Sequence, residues 1–301
     1  MTQSGRTTTL ATFGLLAMTA VWGSTFVLIK DVVGRMPVAD FLAVRFVIGA
    51  LVMLALFARP VLRLGRQQIV RGLLLGVVYG LGQLLQTWGL SMIAPSVSGF
   101  ATGMYVVFTP ILAMVLLRQR MAGTVWLAVL LSIAGLALLS LNGVSVDLGV
   151  WLTLASAALY ALHIVGLGQW SRQGEAFGMS AVQMVAIAAV CLLATMPHGP
   201  TLPPDRSAWF AVLYMALIAG AGAMLMQTWA QSHLPATRAA IVMTTEPVFA
   251  AAFAVLLGSD VLGWRMLVGG GLILAAMYLV ELMPRRGGFN ELPAEAVHHE
   301  V

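Results

Sequence analysis

Long apolar runs, separated by short polar breaks, occupy almost the whole chain. A helix needs about 20 apolar residues to cross the hydrocarbon of a bilayer, and ten runs approach or exceed that length. They are residues 10–29, 38–58, 69–90, 96–117, 122–141, 148–170, 178–196, 207–231, 236–257 and 262–283. The pattern therefore predicts an all-α membrane protein with ten transmembrane helices and short connections.

The chain also repeats itself. Gln86-Thr87-Trp88 recurs as Gln227-Thr228-Trp229, and each copy closes an apolar run rich in glycine and alanine. The two copies are 141 positions apart, and beyond Pro95 and Pro235 the offset becomes 140. This self-similarity predicts two related units, a first five-helix repeat at 10–141 and a second at 148–283.

A unit of five spans has a consequence for orientation. Because five is odd, the second unit must enter the membrane upside down relative to the first. Inverted repeats of this kind are typical of secondary transporters, whose substrate site lies near the midplane between the repeats. We therefore expect two inverted five-helix repeats around a central cavity.

Composition supports a lipid environment. Hydrophobic residues make up 60% of the chain and charged residues 9%, with a mean hydropathy of +0.95, whereas soluble domains carry about 25% charged residues. The net charge of +5 does not indicate nucleic-acid binding, because the chain has one lysine and no basic stretch interleaved with aromatics. Cys191 is the only cysteine, so no internal disulfide forms, and no pattern predicts a metal or cofactor site.

The distribution of Lys and Arg predicts the topology. Eleven of them lie in the two tails and in every second loop, four lie in the remaining loops, and Arg45 lies within a span. The positive-inside rule then places both termini, tails 1–9 and 284–301, in the cytoplasm. The first run is long and lacks a small-residue cleavage site, so we interpret it as a span rather than a signal peptide. The polar C-terminal tail is expected to be disordered.

Several polar and aromatic residues fall at mid-depth in the predicted spans. Trp22-Gly23-Ser24-Thr25 in span one aligns with Tyr160-Ala161-Leu162-His163 in span six. Tyr79 and Tyr105 lie nearer the middle of their runs than interfacial tyrosines do. These residues either pack with satisfied hydrogen bonds or line the cavity. The cavity candidates are Trp22, Ser24, Thr25, Tyr79, Gln83, Tyr105, Tyr160, His163, Thr244 and Thr245.

Two charged residues, Arg45 and Glu246, lie well inside spans. Charge in lipid is costly, so each is a candidate proton or charge site. For Arg45 the alternative is snorkelling or bonding to carbonyls. For Glu246 the alternative is a paired, structural role beside Pro247, whose ring permits a kink. Gly23 and Pro247 are the hinge candidates.

Together these features resemble the drug/metabolite transporter superfamily, EamA-like branch, over residues 8–284. Stretch 105–110 (Tyr-Val-Val-Phe-Thr-Pro) resembles the YddG-type bacterial amino-acid exporters. The resemblance implies a bacterial inner-membrane protein, with a basket-like bundle around a cavity formed by spans one, three, four, six, eight and nine. It also implies dimer contacts through spans five and ten, so a homodimer is a candidate assembly. Where many relatives carry an acid after span four, this chain has Arg118-Gln119-Arg120.

The leading interpretation is a secondary transporter that exports amino acids or related small metabolites by alternating access. Its partners would be the small-molecule substrate, membrane lipid and a proton as candidate coupling ion. The alternative within transport is a multidrug or quaternary-ammonium exporter. A channel or an intramembrane enzyme is less favoured, because neither a ring of repeated polar residues nor a catalytic motif is present; a Ser24–His163 pair is the one nucleophile–base combination left open.

Overall fold

The computed structural model describes residues 3–117, 123–142, 145–170, 174–196, 199–231 and 242–282. Nearly all of these residues are helical. The helices are α1 (Gln3–Val33), α2 (Val38–Leu62), α3 (Arg66–Met92), α4 (Pro95–Gly103), α5 (Tyr105–Leu117), α6 (Gly123–Ser140), α7 (Leu148–Trp170), α8 (Ala176–Leu193), α9 (Arg206–Ala216), α10 (Ala223–Gln231), α11 (Glu246–Leu256) and α12 (Trp264–Leu282). A π-helical turn, Leu217–Gly222, joins α9 to α10, and strands β1 (Leu141–Asn142) and β2 (Ser145–Val146) pair antiparallel between α6 and α7.

Seven helical segments of the described residues are long and apolar enough to cross a membrane. They are Thr9–Val33, Val38–Leu62, Arg66–Met92, Pro95–Leu116, Leu148–Trp170, Ala176–Leu193 and Arg206–Gln227. The predicted fifth, ninth and tenth runs contain shorter apolar helices, Trp126–Leu139, Glu246–Leu256 and Trp264–Leu279. The all-helical, multi-pass character is therefore confirmed, whereas ten crossings stay a prediction.

Two boundaries differ from the sequence pattern. Helix α1 begins at Gln3, before the apolar run starts at residue 10, because polar residues continue a helix that the apolar run has nucleated. The run at 236–257 is not one continuous helix over the part described, since a turn at 244–245 precedes α11. Residues 118–122, 232–241 and the predicted C-terminal tail lie outside the described residues.

Small residues set how closely the helices approach. An added methyl group at Gly89 would lie 2.6 Å from the Gly149 carbonyl oxygen where α3 crosses α7, and one at Gly135 would lie 2.5 Å from the Gly269 carbonyl oxygen where α6 crosses α12. Lipid tails give helices no hydrophobic reason to associate, so close backbone packing at small residues supplies the attraction instead.

Two buried clusters of apolar side chains result. The first joins α1, α2, α8 and α9 through residues such as Phe41, Met184 and Met215. The second joins α4, α5, α7 and α12 through residues such as Phe100 and Met277. Tyr79 of α3 packs against both clusters, so the junction between them lies beside this tyrosine.

At one end of the bundle, polar contacts tie the connections together. Asp205 caps α9 by accepting a hydrogen bond from the Ala208 amide at 2.9 Å, and Arg35 at the end of α1 pairs with its other oxygen at 2.6 Å. The Ala208 amide, the Ser207 hydroxyl and Arg35 together lower the pKa of Asp205 to about 2. This ion pair joins the end of the first span to the start of the eighth.

Lys30 forms a second set of polar contacts between helices at the same end of the bundle. Its ammonium donates to the carbonyl oxygens of Leu90, Ser91 and Ile93, each at 2.9 Å. Carbonyl groups at the C-terminal end of a helix lack partners within it and carry the negative end of its dipole. Lys30 of α1 therefore caps α3.

Replacing Lys30 with methionine is expected to lower the free energy of unfolding by about 2 kcal/mol, because the charged hydrogen bonds to these carbonyls are lost. Denaturation of the purified protein in detergent micelles measures this. Arg206→Met is the matched control, since it also removes one positive charge from this end but from an exposed side chain. Equal losses in the two variants would show that net charge matters and the cap does not.

Candidate functional site

Two helical segments are interrupted at the centre of the candidate site. Helix α4 ends at Gly103 and α5 begins at Tyr105, while the turn at Thr244 and Thr245 precedes α11, which begins at Glu246. Pro247 falls in the first turn of α11, where its missing N–H costs nothing. The proline thus starts a helix here, rather than kinking a continuous one.

The two residues that follow these breaks face each other. The Tyr105 hydroxyl donates to Glu246 Oε2 at 3.4 Å, across 141 residues of sequence. Tyr105 is buried and Glu246 is half-buried. Their separation equals the offset between Gln86 and Gln227, so the predicted repeat at that offset would align these two residues with each other.

A second pair of contacts follows the same offset. Gln86 Nε2 donates to Thr102 Oγ1 at 3.0 Å, and Gln227 Nε2 contacts Met243 Sδ at 3.9 Å; each contact spans 16 residues. The offset of 140 predicted beyond the prolines would pair Tyr105 with Thr245 instead. The contacts of Thr102 with Gln86, of Met243 with Gln227 and of Tyr105 with Glu246 are instead consistent with an offset of 141 residues up to Glu246.

Tyr160 is the centre of a hydrogen-bond chain. Its hydroxyl accepts from Gln83 Nε2 and donates to Gln86 Oε1, both at 2.7 Å. Gln86 continues the chain to Thr102. Three helices, α3, α4 and α7, thus share one line of polar groups. A connected network of this kind holds the tyrosine ring in one orientation.

Tyr79 connects Tyr160 to His163. Its ring lies 5.1 Å from the ring of Tyr160 and 5.0 Å from the imidazole of His163, measured between centroids. His163 Nε2 lies 2.7 Å from Gln183 Oε1. An amide oxygen only accepts, so Nε2 carries a hydrogen. The aromatic pair also adjoins the second apolar cluster, which contains Tyr105, the hydrogen-bond partner of Glu246.

The span-one candidates differ in what their polar atoms do. Trp22 Nε1 donates to the Ala219 carbonyl oxygen at 2.9 Å, within the π-helical turn. Ser24 donates to the Val21 carbonyl oxygen and also contacts the Tyr214 hydroxyl at 2.9 Å. Thr25 is buried and donates to the Trp22 carbonyl oxygen of its own helix at 2.7 Å. Ser24 and Thr25 therefore each bond back to their own helix.

Of the second-half threonines, Thr245 contacts α1, the helix that carries the glycine hinge candidate Gly23. Thr245 Oγ1 is 3.1 Å from Thr19 Oγ1, and Thr244 is fully buried. An added methyl group at Gly23 would lie 2.5 Å from Phe249 Cβ and 2.8 Å from the Ala250 amide nitrogen. Gly23 thus marks the place where α1 and α11 touch.

Arg45 lies on α2 and does not form an ion pair with Glu246. Its side chain is buried, with Nε donating to the Met215 carbonyl oxygen at 3.3 Å. The guanidinium carbon lies 4.9 Å from the ring centroid of Phe46 and 6.0 Å from that of Phe41. The structure does not show Arg45 snorkelling, because its contacts lie within the bundle.

Sequence reasoning missed several polar partners, namely Thr19, Gln86, Gln183 and Tyr214. Gln86 belongs to the repeated tripeptide, so the repeat itself was a usable signal. Gln183 was also reachable: the offset of 138 that aligns Trp22 with Tyr160 aligns Arg45 with Gln183. Thr19 and Tyr214 have no such signal. Among the described residues, no group of three or more His, Cys, Asp or Glu side chains could hold a metal ion.

Comparison with known proteins agrees with this architecture. An uncharacterized transporter of Archaeoglobus fulgidus is 28% identical over 273 residues, which cover 90% of this chain and 86% of that protein. A crystal structure of another protein, 20% identical in sequence, superposes with a TM-score of 0.65 and covers 92% of this chain and 98% of that one. At that identity the second likeness concerns the fold alone.

The match to a family model is more specific than these two likenesses. The EamA-like transporter family matches residues 9–141 and again residues 147–282. The two matches together span nearly the whole chain, and the predicted resemblance to this branch is confirmed. A transporter, rather than an enzyme, is what the family indicates. The chain belongs to the EamA-like transporter family.

Proposed function

We propose that the protein is a secondary transporter that exports amino acids or related small metabolites across a bacterial inner membrane. Two inverted repeats, 10–141 and 148–283, would expose a site between them alternately to either side. The observation that carries this proposal is the contact between Tyr105 and Glu246, the counterpart residues of the two repeats.

The helix pairs support the inverted arrangement. Exchanging the two halves maps α2 onto α8 and α6 onto α12, and each of these helices packs against its own counterpart. The same exchange maps the packed pair α3 and α7 onto α1 and α10, which also pack together. A half-turn axis between the halves would produce this pattern. Such an axis passes midway between counterpart residues, so the contact between Tyr105 and Glu246 would lie close to the membrane midplane.

The chemistry around Glu246 suits an ammonium group. A carboxylate attracts it directly, and the rings of Tyr79, Tyr105 and Tyr160 offer cation–π and hydroxyl contacts nearby. Ser24, Gln83, His163 and Thr244 would contribute further polar contacts. Glu246 sits in the first turn of α11, where the helix dipole favours negative charge. A proton bound to the same carboxylate would supply coupling, with Gly23 and Pro247 as hinges.

The alternative is a multidrug or quaternary-ammonium exporter. One observation favours it, because a carboxylate beside several tyrosine rings also suits a permanent organic cation. A homodimer through spans five and ten stays a prediction of the family resemblance, as do the cytoplasmic termini.

Purified protein in liposomes tests the proposal. We expect saturable movement of at least one amino acid from a panel, faster with a proton gradient than without. Tetraphenylphosphonium serves as the cation probe. Movement of that cation with no amino acid transported would establish the drug-exporter alternative instead.

A further inference from the structure

Arg45 is a buried cation without an ionic partner among the described residues. Its side chain is 5% exposed. Of the five N–H donors of a guanidinium, only Nε is hydrogen-bonded, to the Met215 carbonyl oxygen. The ion pairs found in the described part of the chain join Arg35 to Asp31 and to Asp205. The terminal Nη atoms therefore have neither a carboxylate nor a carbonyl acceptor there.

A purely structural role does not account for this arrangement. An unpaired charge taken out of water is strongly unfavourable, and two phenyl rings offset only part of that cost. The fully enclosed polar side-chain atoms that lack a partner belong to Asp40, Gln68, Thr87, Ser98 and Ser132. The Nη atoms of Arg45 are not among them, so the small accessible surface of this residue includes its free donors.

Arg45 and Glu246 belong to one site. Tyr79 packs against both apolar clusters. The first cluster contains Phe41 and Phe46, the rings beside Arg45. The second contains Tyr105, the hydrogen-bond partner of Glu246. Because Arg45 and Glu246 do not pair with each other, each charge stays available to a ligand. The site therefore offers a cation and an anion, with the tilted rings of Tyr79 and Tyr160 beside them.

We propose that Arg45 binds the carboxylate of the substrate while Glu246 binds its ammonium group, so that the transporter selects molecules carrying both charges. This inference rests on the proposed function and specifies how that site recognises its substrate. A guanidinium holds a carboxylate through two parallel N–H donors, which a lysine cannot reproduce. Arg45 is then a specificity-determining residue that discriminates against simple organic cations.

Paired ligands test the assignment in the full-length protein. Each transported amino acid is compared with its carboxamide, which keeps the ammonium group and loses the carboxylate. We expect the wild type to bind the amino acid at least about tenfold more tightly than the carboxamide. In Arg45→Gln this ratio should approach one through weaker binding of the amino acid, and Arg45→Lys should restore part of it. An unchanged ratio in a folded Arg45→Gln protein overturns the inference.

Cys191 gives a readout that does not depend on transport. It is the only cysteine of the chain and is fully buried in the first apolar cluster, together with Phe41 and Phe46, the rings beside Arg45. Anionic and cationic methanethiosulfonates of similar size should modify it at different rates, with the anionic reagent favoured. Arg45→Gln should lower the anionic-to-cationic rate ratio by about tenfold, whereas Arg206→Gln should not change it.

The two experiments separate the possible failures. If no amino acid moves or binds but the reagent ratio depends on Arg45, the proposed function fails and the anion site stands. If amino acids are transported and the reagent ratio is the same with and without Arg45, the anion site fails alone. If the buried Cys191 reacts with neither reagent, the ratio of amino-acid to carboxamide affinity in Arg45→Gln alone decides the inference.

Discussion

Replacing Glu246 with glutamine is expected to abolish the response of transport to a proton gradient while leaving the protein folded in the membrane. The amide preserves the shape of the side chain and can still accept from the Tyr105 hydroxyl, which lies 3.4 Å away. It cannot bind and release a proton, and it has no charge to attract an ammonium group. We also expect the transport rate to fall by about tenfold or more, because a charge-assisted contact is lost.

The groups that face Glu246 make this test specific. Tyr105 on α5, Tyr79 on α3 and Tyr160 on α7 are phenols, which do not ionise near neutral pH. His163 is a further titratable group beside the aromatic pair, and it bonds to Gln183. His163→Gln should therefore keep the response to the gradient that Glu246→Gln loses.

Uptake into proteoliposomes, with and without an imposed pH gradient, measures the effect. Glu175→Gln is the matched control, since it makes the same chemical change where the side chain accepts a hydrogen bond from Gln68 at the start of α8. An unchanged pH dependence in Glu246→Gln removes proton coupling through this residue. A normal pH dependence with a raised KM would leave it as a substrate contact only.

Hydrophobic pattern was enough to predict the class of fold. Apolar length identifies membrane helices because lipid cannot satisfy backbone polar groups, so each span must satisfy its own. Charge within those spans was equally informative, since Arg45 and Glu246 are too costly to occur there without a reason. Both are central to the candidate site.

Side-chain partners could not be predicted in the same way. Ser24 and Thr25 looked available for a ligand, yet each bonds to a carbonyl of its own helix. Hydroxyl groups do this readily, and sequence does not show whether a second partner is in reach. The break before Glu246 was also missed, because a proline inside an apolar run is equally compatible with a kinked helix and with a new helix start.

Replacing Gly23 even with alanine is expected to destabilise the protein. A methyl group there would lie 2.5 Å from Phe249 Cβ, 2.8 Å from the Ala250 amide nitrogen and 2.9 Å from the Phe249 carbonyl carbon. Two of these atoms belong to the backbone, so a change of rotamer cannot relieve the overlap. We expect Gly23→Ala to lower the free energy of unfolding by about 2 kcal/mol. It should also lower the transport rate by more than about tenfold. The added methyl group would push α11 away from α1, and α11 carries Glu246.

Measuring stability and transport together decides between two roles for this glycine. If Gly23 acts as a hinge, alanine should slow transport while keeping or raising stability, because alanine favours the helix over glycine. If Gly23 is needed for close packing, both quantities fall. Gly271→Ala is the control, since nothing lies within 4 Å of a methyl group there, and it should leave both quantities near wild type. Unfolding in detergent micelles and uptake into proteoliposomes provide the two readouts. Wild-type values of both in Gly23→Ala would refute the tight contact between α1 and α11, and with it the placement of Glu246.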